Sequence, residues 1–224
     1  ELKFNWNSVN YPMYNDSLVL MMNFDNVASL GETNTIVKDL SSYGNNGTVQ
    51  GGAVWNSSGK YGGAYTFDGT NDSITVKDSP SLKITPDLTI VAWINSSSTA
   101  TYSYIVEKGF NDNDNYGFFL NSSSLRPGFE FSDSITNTYK SYSGGVVSDI
   151  TRGRWYQIAV VFDDTNDQIR FYKNGSLISL QPTTFSLKGT QANNLLIGRQ
   201  NFTSNNWYFK GNIDNLQIWK RALT

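Results

Sequence analysis

Apolar positions along this 224-residue chain come in short bursts: "LVLMMNF", "GGAYTF", "SITV", "LTIVAWI", "YIVEKG", "YGFFLN", "GFEFS", "WYQIAVVFD", "QIRFYKNG", "NLLIG" and "IDNLQIW". Each is rich in β-branched and aromatic residues and bounded by Gly, Asn, Asp and Ser, which predicts strands. In "DLTIVAWINS", Leu88, Ile90, Ala92 and Ile94 take one face and Thr89, Val91, Trp93 and Asn95 the other. In "WYQIAVVFD", Tyr156, Ile158, Val160 and Phe162 oppose Trp155, Gln157, Ala159 and Val161. Both faces are largely apolar, so both strands are expected at sheet centres, and Trp93, Trp155 and Trp219 are expected in the core. Asn174-Gly175 predicts a two-residue hairpin, because a type I′ turn needs positive φ at both central positions, and "DDTND" predicts a longer hairpin loop. No helical-period segment with caps at both ends appears. Strands at intervals of about 8 to 12 residues without helices between them predict an all-β, two-sheet antiparallel sandwich. One domain is expected over 17–224, with 1–16 a less patterned lead-in, possible territory of an upstream domain.

Composition narrows the chemistry. The net charge of -2 leaves no basic footprint for nucleic acid. Zero cysteines exclude disulfides, thiolate zinc sites and cysteine nucleophiles; zero histidines remove the usual general base and transition-metal ligand. No apolar run approaches the roughly 18 residues of a membrane span. The opening "ELKFNWNSVNYP" lacks signal-peptide regions, so a leader is expected to have been trimmed or the chain to be a piece of something longer. A surface rich in Asn, Ser, Thr and Gly and sparse in Lys and Glu points to an extracellular or cell-surface setting, while Asn-x-Ser/Thr triplets are expected by chance in such a chain.

The last strand raises a specific question. Strict alternation in "KGNIDNLQIWKRAL" sets Asp214 on one face with Leu216 and Ile218, opposite Ile213, Asn215, Gln217 and Trp219. A carboxylate on an apolar face needs compensation. The bursts also have a familiar order. "LVLMMNFDN", "DLSSYGNNGTVQGGAVW", "GKYGGAYTFDGTNDSITV", "LTIVAWI", "RWYQIAVVFDD", "IRFYKNGSLI", "LLIGRQ" and "FKGNIDNLQIWKRAL" together resemble laminin-G-like jelly-roll domains of the concanavalin A-like lectin/glucanase superfamily. The resemblance implies a jelly roll used for carbohydrate binding or adhesion, with a glycan or cell-surface glycoprotein, or neighbouring domains, as partners. It also implies a structural calcium near the rim, held by Asp25, by Asn45 or Asn46 with neighbouring carbonyls, and by Asp214. Calcium accepts carboxylate, amide and carbonyl oxygens without His or Cys. The alternative is that Asp214 accepts backbone N–H bonds or pairs with Arg221, while Asp25 caps a turn.

Other stretches are read more plainly. "FDGTNDS", with Asp68, Asn71 and Asp72, is expected to be the hairpin turn joining "AYTF" to "SITV". "FNDNDNYG", with Asp112, Asp114 and Gly117, resembles an EF-hand start but has Ser123 where the bidentate Glu belongs, so a polar hairpin loop is expected. Tyr102, Tyr104, Phe110, Tyr142 and Trp207 are candidate sugar-stacking residues, with packing under loops as the competing reading for each. Glucanases of the superfamily carry paired Glu residues on one strand. Glu1, Glu32, Glu107 and Glu130 show no such spacing, and Glu130 and Asp133 fall on opposite faces. The expectation is a non-catalytic extracellular module for carbohydrate binding or adhesion. Its rival is a structural module of a surface layer or appendage; a glycoside hydrolase comes last.

Overall fold

The computed structural model describes residues 3–6, 9–12, 16–109, 115–121, 125–144, 150–202 and 207–223. In chain order the strands begin with β1 (Lys3–Trp6), β2 (Val9–Pro12), β3 (Leu18–Met22), β4 (Ile36–Val37), β5 (Gly47–Gln50), β6 (Val54–Asn56), β7 (Ala64–Asp68), β8 (Ser73–Val76) and β9 (Leu88–Ser96). They continue with β10 (Tyr102–Lys108), β11 (Tyr116–Asn121), β12 (Arg126–Ser132), β13 (Tyr139–Ser143), β14 (Tyr156–Asp163), β15 (Gln168–Lys173), β16 (Ser176–Pro182), β17 (Leu195–Ile197) and β18 (Lys210–Trp219). The first sheet runs β13-β12-β11-β10-β17-β8-β5-β4 and the second β16-β15-β14-β9-β18-β7-β6, with β3 beside β18. All pairings are antiparallel, and β1 and β2 pair with each other. The result is the expected two-sheet jelly-roll sandwich.

Local chemistry accounts for much of this. β9 and β14 lie inside the second sheet, and Ile90, Ala92, Ile94, Ile158, Val160 and Phe162 are buried between the sheets. From the first sheet, Phe131 meets Phe162 edge-on at 5.0 Å and 72°, and each such buried ring stabilises the fold by about 1.5–3 kcal/mol. Asn174 and Gly175 take φ of 49° and 77° and join β15 to β16 with Lys173 opposite Ser176, the predicted turn. β3 lies along the second half of β18, so the first strand of the sandwich sits beside its last.

Three expectations change. "FDGTNDS" is not a hairpin, because β7 belongs to the second sheet and β8 to the first, so the turn crosses between layers. Asp72 Oδ2 accepts from Asp68 N and Asp68 Oδ1 from Thr70 N, which tightens that crossing. The three tryptophans stay outside the central cluster. Trp93 has the outer parity of β9, Trp155 precedes β14, and Trp219 packs with Leu18, Met21 and Leu40. Finally, β18 does not alternate strictly. Asn215 adopts φ of 47° at a register shift between Asp214 and Gln217. This bulge returns Ile213, Leu216 and Ile218 to the same core, and Asp214 sits opposite Trp93 on the outer face.

Candidate functional site

The second sheet's outer face explains the acid. Asp214 is fully buried, yet not by the core: the 58–63 turn covers it, and the backbone N–H groups of Lys60 and Tyr61 donate to its Oδ2 at 2.8 and 2.9 Å. Asn215 Nδ2 donates to Oδ1 at 3.0 Å. The same turn reaches Asp25, whose Oδ1 accepts from Gly63 N at 2.9 Å while Oδ2 accepts from Asn23 Nδ2 at 2.5 Å. A Cβ on Gly62, at φ of 71°, would come within 2.1 Å of Asp25 Oδ1, so only glycine lets the turn close over the acids. Asp25 is flanked by Phe24 and Asn26 at φ of 59° and 54°, left-handed conformations that non-glycine residues adopt at a cost and that concentrate at binding sites. Of the alternatives weighed from sequence, backbone N–H donation to Asp214 is present. Arg221 instead lies over the Trp219 ring at 5.4 Å.

Burial raises the Asp214 pKa to about 6; the N–H bonds oppose the shift and the Asp25 charge adds to it. No Lys or Arg pairs with either acid among the described residues, and the Lys60 ammonium lies over the Trp93 ring at 4.9 Å. Asn23 Oδ1 is buried without a hydrogen-bond partner. Two carboxylates and an orphaned amide oxygen are hard donors of the kind calcium takes. Among the described residues no cluster of three His, Cys, Asp or Glu side chains gathers, so an ion here would complete its shell with neutral oxygens. The residues present fit the group.

Asn45 and Asn46 are not part of this cluster. They lie at the start of β3, whereas Asp25 follows its end: Asn45 Nδ2 donates to Val19 O at 2.8 Å and to Ser81 Oγ at 2.9 Å. Asp39 claims the turn. Its Oδ2 accepts from Asn45 N at 2.8 Å, and its own N donates to Asn46 Oδ1 at 3.0 Å. Asn23 and the Gly62-Gly63 turn stand with Asp25 and Asp214 instead. The sequence signal for the turn was the adjacent pair Gly62-Gly63 ending "GKYGG", where a backbone must approach something closely.

The first sheet's outer face carries the other cluster. In register, Glu107 faces Gly117 and Gly117 faces Glu130, so both carboxyls emerge on one face across a glycine. A Cβ on Gly117 would lie 2.9 Å from Glu130 Oε1, which shows the side chain leaning over that gap. Both acids are fully buried. Glu130 accepts from Tyr104 OH at 2.7 Å and from Tyr139 OH at 2.5 Å, and Gln200 Nε2 donates to the Tyr104 oxygen at 3.0 Å. Burial, then the Glu130 charge, push the Tyr104 hydroxyl far above the usual phenol range, so it stays a donor. Sequence reasoning compared acids along single strands and missed this pair. "YIVEKG", "YGFFLN" and "GFEFS" as successive hairpin strands, aligned on Val106, Phe118 and Phe129, would have shown it.

Three of the aromatic candidates converge here. Trp207 lies over Tyr104 at 6.3 Å and 11° and meets Tyr102 at 4.8 Å, while Tyr102 and Tyr104 both pack on Phe119. Tyr102 and Trp207 are half-buried and Tyr104 is buried. Tyr142 is different: it turns inward, stacks on Phe131 at 6.1 Å and donates to Thr183 Oγ1 at 3.0 Å. Phe110, Asp112 and Asp114 lie outside the described residues. Gly117 belongs to β11 rather than to a loop.

Fold and faces together define a jelly-roll sandwich with buried acids beneath the surface of both sheets. The chain belongs to the laminin-G-type family of the concanavalin A-like lectin/glucanases superfamily, which matches residues 68–224. No curated protein matches it. Among solved structures, domain 4 of AbnA, a GH43 extracellular arabinanase from Geobacillus stearothermophilus in complex with arabinotriose, is similar with TM-score 0.65 and 21% identity over 93% of this chain and 94% of that one. The binding domain of Paraclostridial Mosquitocidal Protein 1 gives TM-score 0.66 and 16% identity over 93% of this chain and 50% of that one. The CBM40 of the Ruminococcus gnavus IT-sialidase, bound to α2,6 sialyllactose, gives 0.57 and 16% over 77% and 95%.

Proposed function

We propose that the chain is a non-catalytic, extracellular carbohydrate-binding module that holds sugar rings on the outer face of the first sheet, against Tyr102 and Trp207. The observation that carries this reading is the half-buried Trp207–Tyr102 wall packed on Tyr104 and Phe119, since an aromatic face beside polar groups is what a sugar ring stacks on. The arabinotriose and sialyllactose held by similar domains support it. Catalysis is disfavoured by the state of the acids. A glycosidase exposes its carboxyls to substrate and water, whereas Glu107 and Glu130 are fully buried and Glu130 is held by two phenols.

Asp25, Asp214 and Asn23 would hold a structural calcium ion that neutralises the two acids and ties β3 and β18 to the 58–63 turn. Asn45 and Asn46 drop out of that set. An oligosaccharide array in millimolar calcium, run on wild type and Trp207→Ala, tests the function. Binding lost in Trp207→Ala with an unchanged melting temperature is expected. An array without signal for wild type sinks the glycan reading and favours packing between neighbouring domains, for which Leu177 and Leu180, each 52% exposed on the edge strand β16, provide a surface.

A further inference from the structure

The outer face of the second sheet has a depression that its strands account for one by one. Ile90, Ala92, Ile158 and Val160 face the core, so Val91 and Ala159 between them point outward. Register sets these two side by side, with Tyr172 of β15 beyond Ala159 and Gln217 of β18 beyond Val91. Two small residues between two long ones leave a trench of about 340 Å³, within the range of about 300–1,000 Å³ common to ligand sites. One row along the strands, Gln157 stands opposite Trp93, whose ring meets Tyr61 at 5.5 Å and lies beneath the Lys60 ammonium. At the other end the chain folds back over Thr89. Its Oγ1 donates to Arg221 O at 2.8 Å and accepts from Leu223 N at 3.0 Å, and Leu223 closes the trench.

The lining decides the occupant. No lining residue carries a charge, and Arg170, in register with Val161, pairs with Asp163 at 3.0 Å. An ionised ligand would therefore lose water without gaining a partner. A wholly apolar ligand fits no better. Among the described residues the Gln157 side chain and the Tyr172 hydroxyl make no hydrogen bond within the protein, and Gln217 uses only its Oε1, which accepts from Trp219 Nε1 at 3.2 Å. Covered by a hydrocarbon, these half-buried groups would be stripped of water and left unpaired. What matches is an uncharged molecule with an apolar face for Val91 and Ala159 and hydroxyls at its edge for Gln157, Gln217 and Tyr172. That is the chemistry of a neutral sugar ring.

We propose that this trench is a second carbohydrate subsite, for a neutral sugar ring, on the face opposite Tyr102 and Trp207. The inference rests on the glycan reading for its ligand class but uses none of its residues. The two sites point away from each other, so one module can bridge two glycan chains, with the gain in avidity that follows. NMR titration of the domain in millimolar calcium tests it, with arabinotriose and lactose as sugar probes and octanol as the apolar one. Shifts are read at the side-chain amides of Gln157 and Gln217 and at the Trp207 indole. At least one sugar is expected to move all three signals in wild type and to keep moving the two amides in Trp207→Ala. Ala159→Trp, which fills the trench, should weaken the amide response at least about tenfold while leaving the indole response within about twofold. Tyr172→Phe, which keeps the shape of the face and breaks no hydrogen bond among the described residues, should weaken the amide response about threefold. Sugars that move the indole but neither amide reject the trench and leave the glycan reading standing; the reverse keeps the trench and rejects the first-sheet wall. Amide shifts with octanol alone make the trench an apolar site and overturn the proposal, as does a response that Ala159→Trp and Tyr172→Phe leave unchanged. If no probe moves any signal, both readings fall.

Discussion

The two outer faces solve the same problem in opposite ways. On the first sheet, Glu130 is buried and its charge is met by side chains of its own sheet, Tyr104 and Tyr139. On the second, Asp214 is buried beneath a turn whose backbone N–H groups meet only part of its charge, and its pKa rises to about 6. The first arrangement gives Glu130 two phenol donors within the protein, although Gln200 Oε1 beside it is buried without a hydrogen-bond partner. The second leaves Asp25, Asp214 and the orphaned Asn23 Oδ1 facing an unmet need. Buried carboxyls therefore do not by themselves mark a metal site; what their oxygens already accept decides.

The largest expected effect tests that unmet need. Asp214 has a folded pKa raised above 3.8, so its contribution to stability is fully present below about pH 4 and is lost as pH rises through about 6. In chelator, wild type should lose up to about 3 kcal/mol from this group across that window, by urea unfolding. Asp214→Asn should not show the loss, and excess calcium should abolish it in wild type. Equal pH profiles for the two proteins in chelator would count against the account. Next, Tyr104→Phe strips a donor from buried Glu130 and should cost about 2 kcal/mol, equally with and without calcium, because Glu130 lies on the sheet opposite the proposed ion.

A smaller effect is expected from the proposed metal. With a Kd of about 0.1 mM and about 1 mM calcium, both typical of extracellular modules, linkage gives about 1.4 kcal/mol of stabilisation. Calorimetric melting with and without chelator reads it, and an unchanged melting temperature rejects the ion. Smallest is Asn46→Ala. It removes the bond from Asp39 N and should cost about 1 kcal/mol while leaving calcium affinity within about twofold; a large loss of affinity would restore the turn to the site.

The fold was largely legible because its signals are local. Alternation located β9 and β14, and Asn174-Gly175 fixed a hairpin through φ alone. What failed was non-local. Nothing in "FDGTNDS" says that its two strands join different sheets, and the bulge at Asn215 reversed the facing of Asp214 without changing its apolar neighbours. Asp25 and Asp214 were legible as acids beside adjacent strands, Asp25 just after β3 and Asp214 within β18, but the bulge sets Asp214 on the outer face rather than the inner one. Asn45 and Asn46 stand with Asp39 rather than with Asp25 and Asp214, because a turn rich in amides readily serves a carboxylate of its own. The Glu107–Glu130 pair escaped because its spacing lies across strands rather than along one.

The division of labour between the faces is tested most directly by amide NMR shift mapping during stepwise addition of calcium and then sialyllactose. Calcium should move residues 23–25, 58–63 and 214–215, and the sugar should then move 102, 104, 119 and 207 while leaving the first set in place. Sugar-induced shifts confined to the 58–63 turn, or calcium-induced shifts on the first sheet alone, would contradict the account.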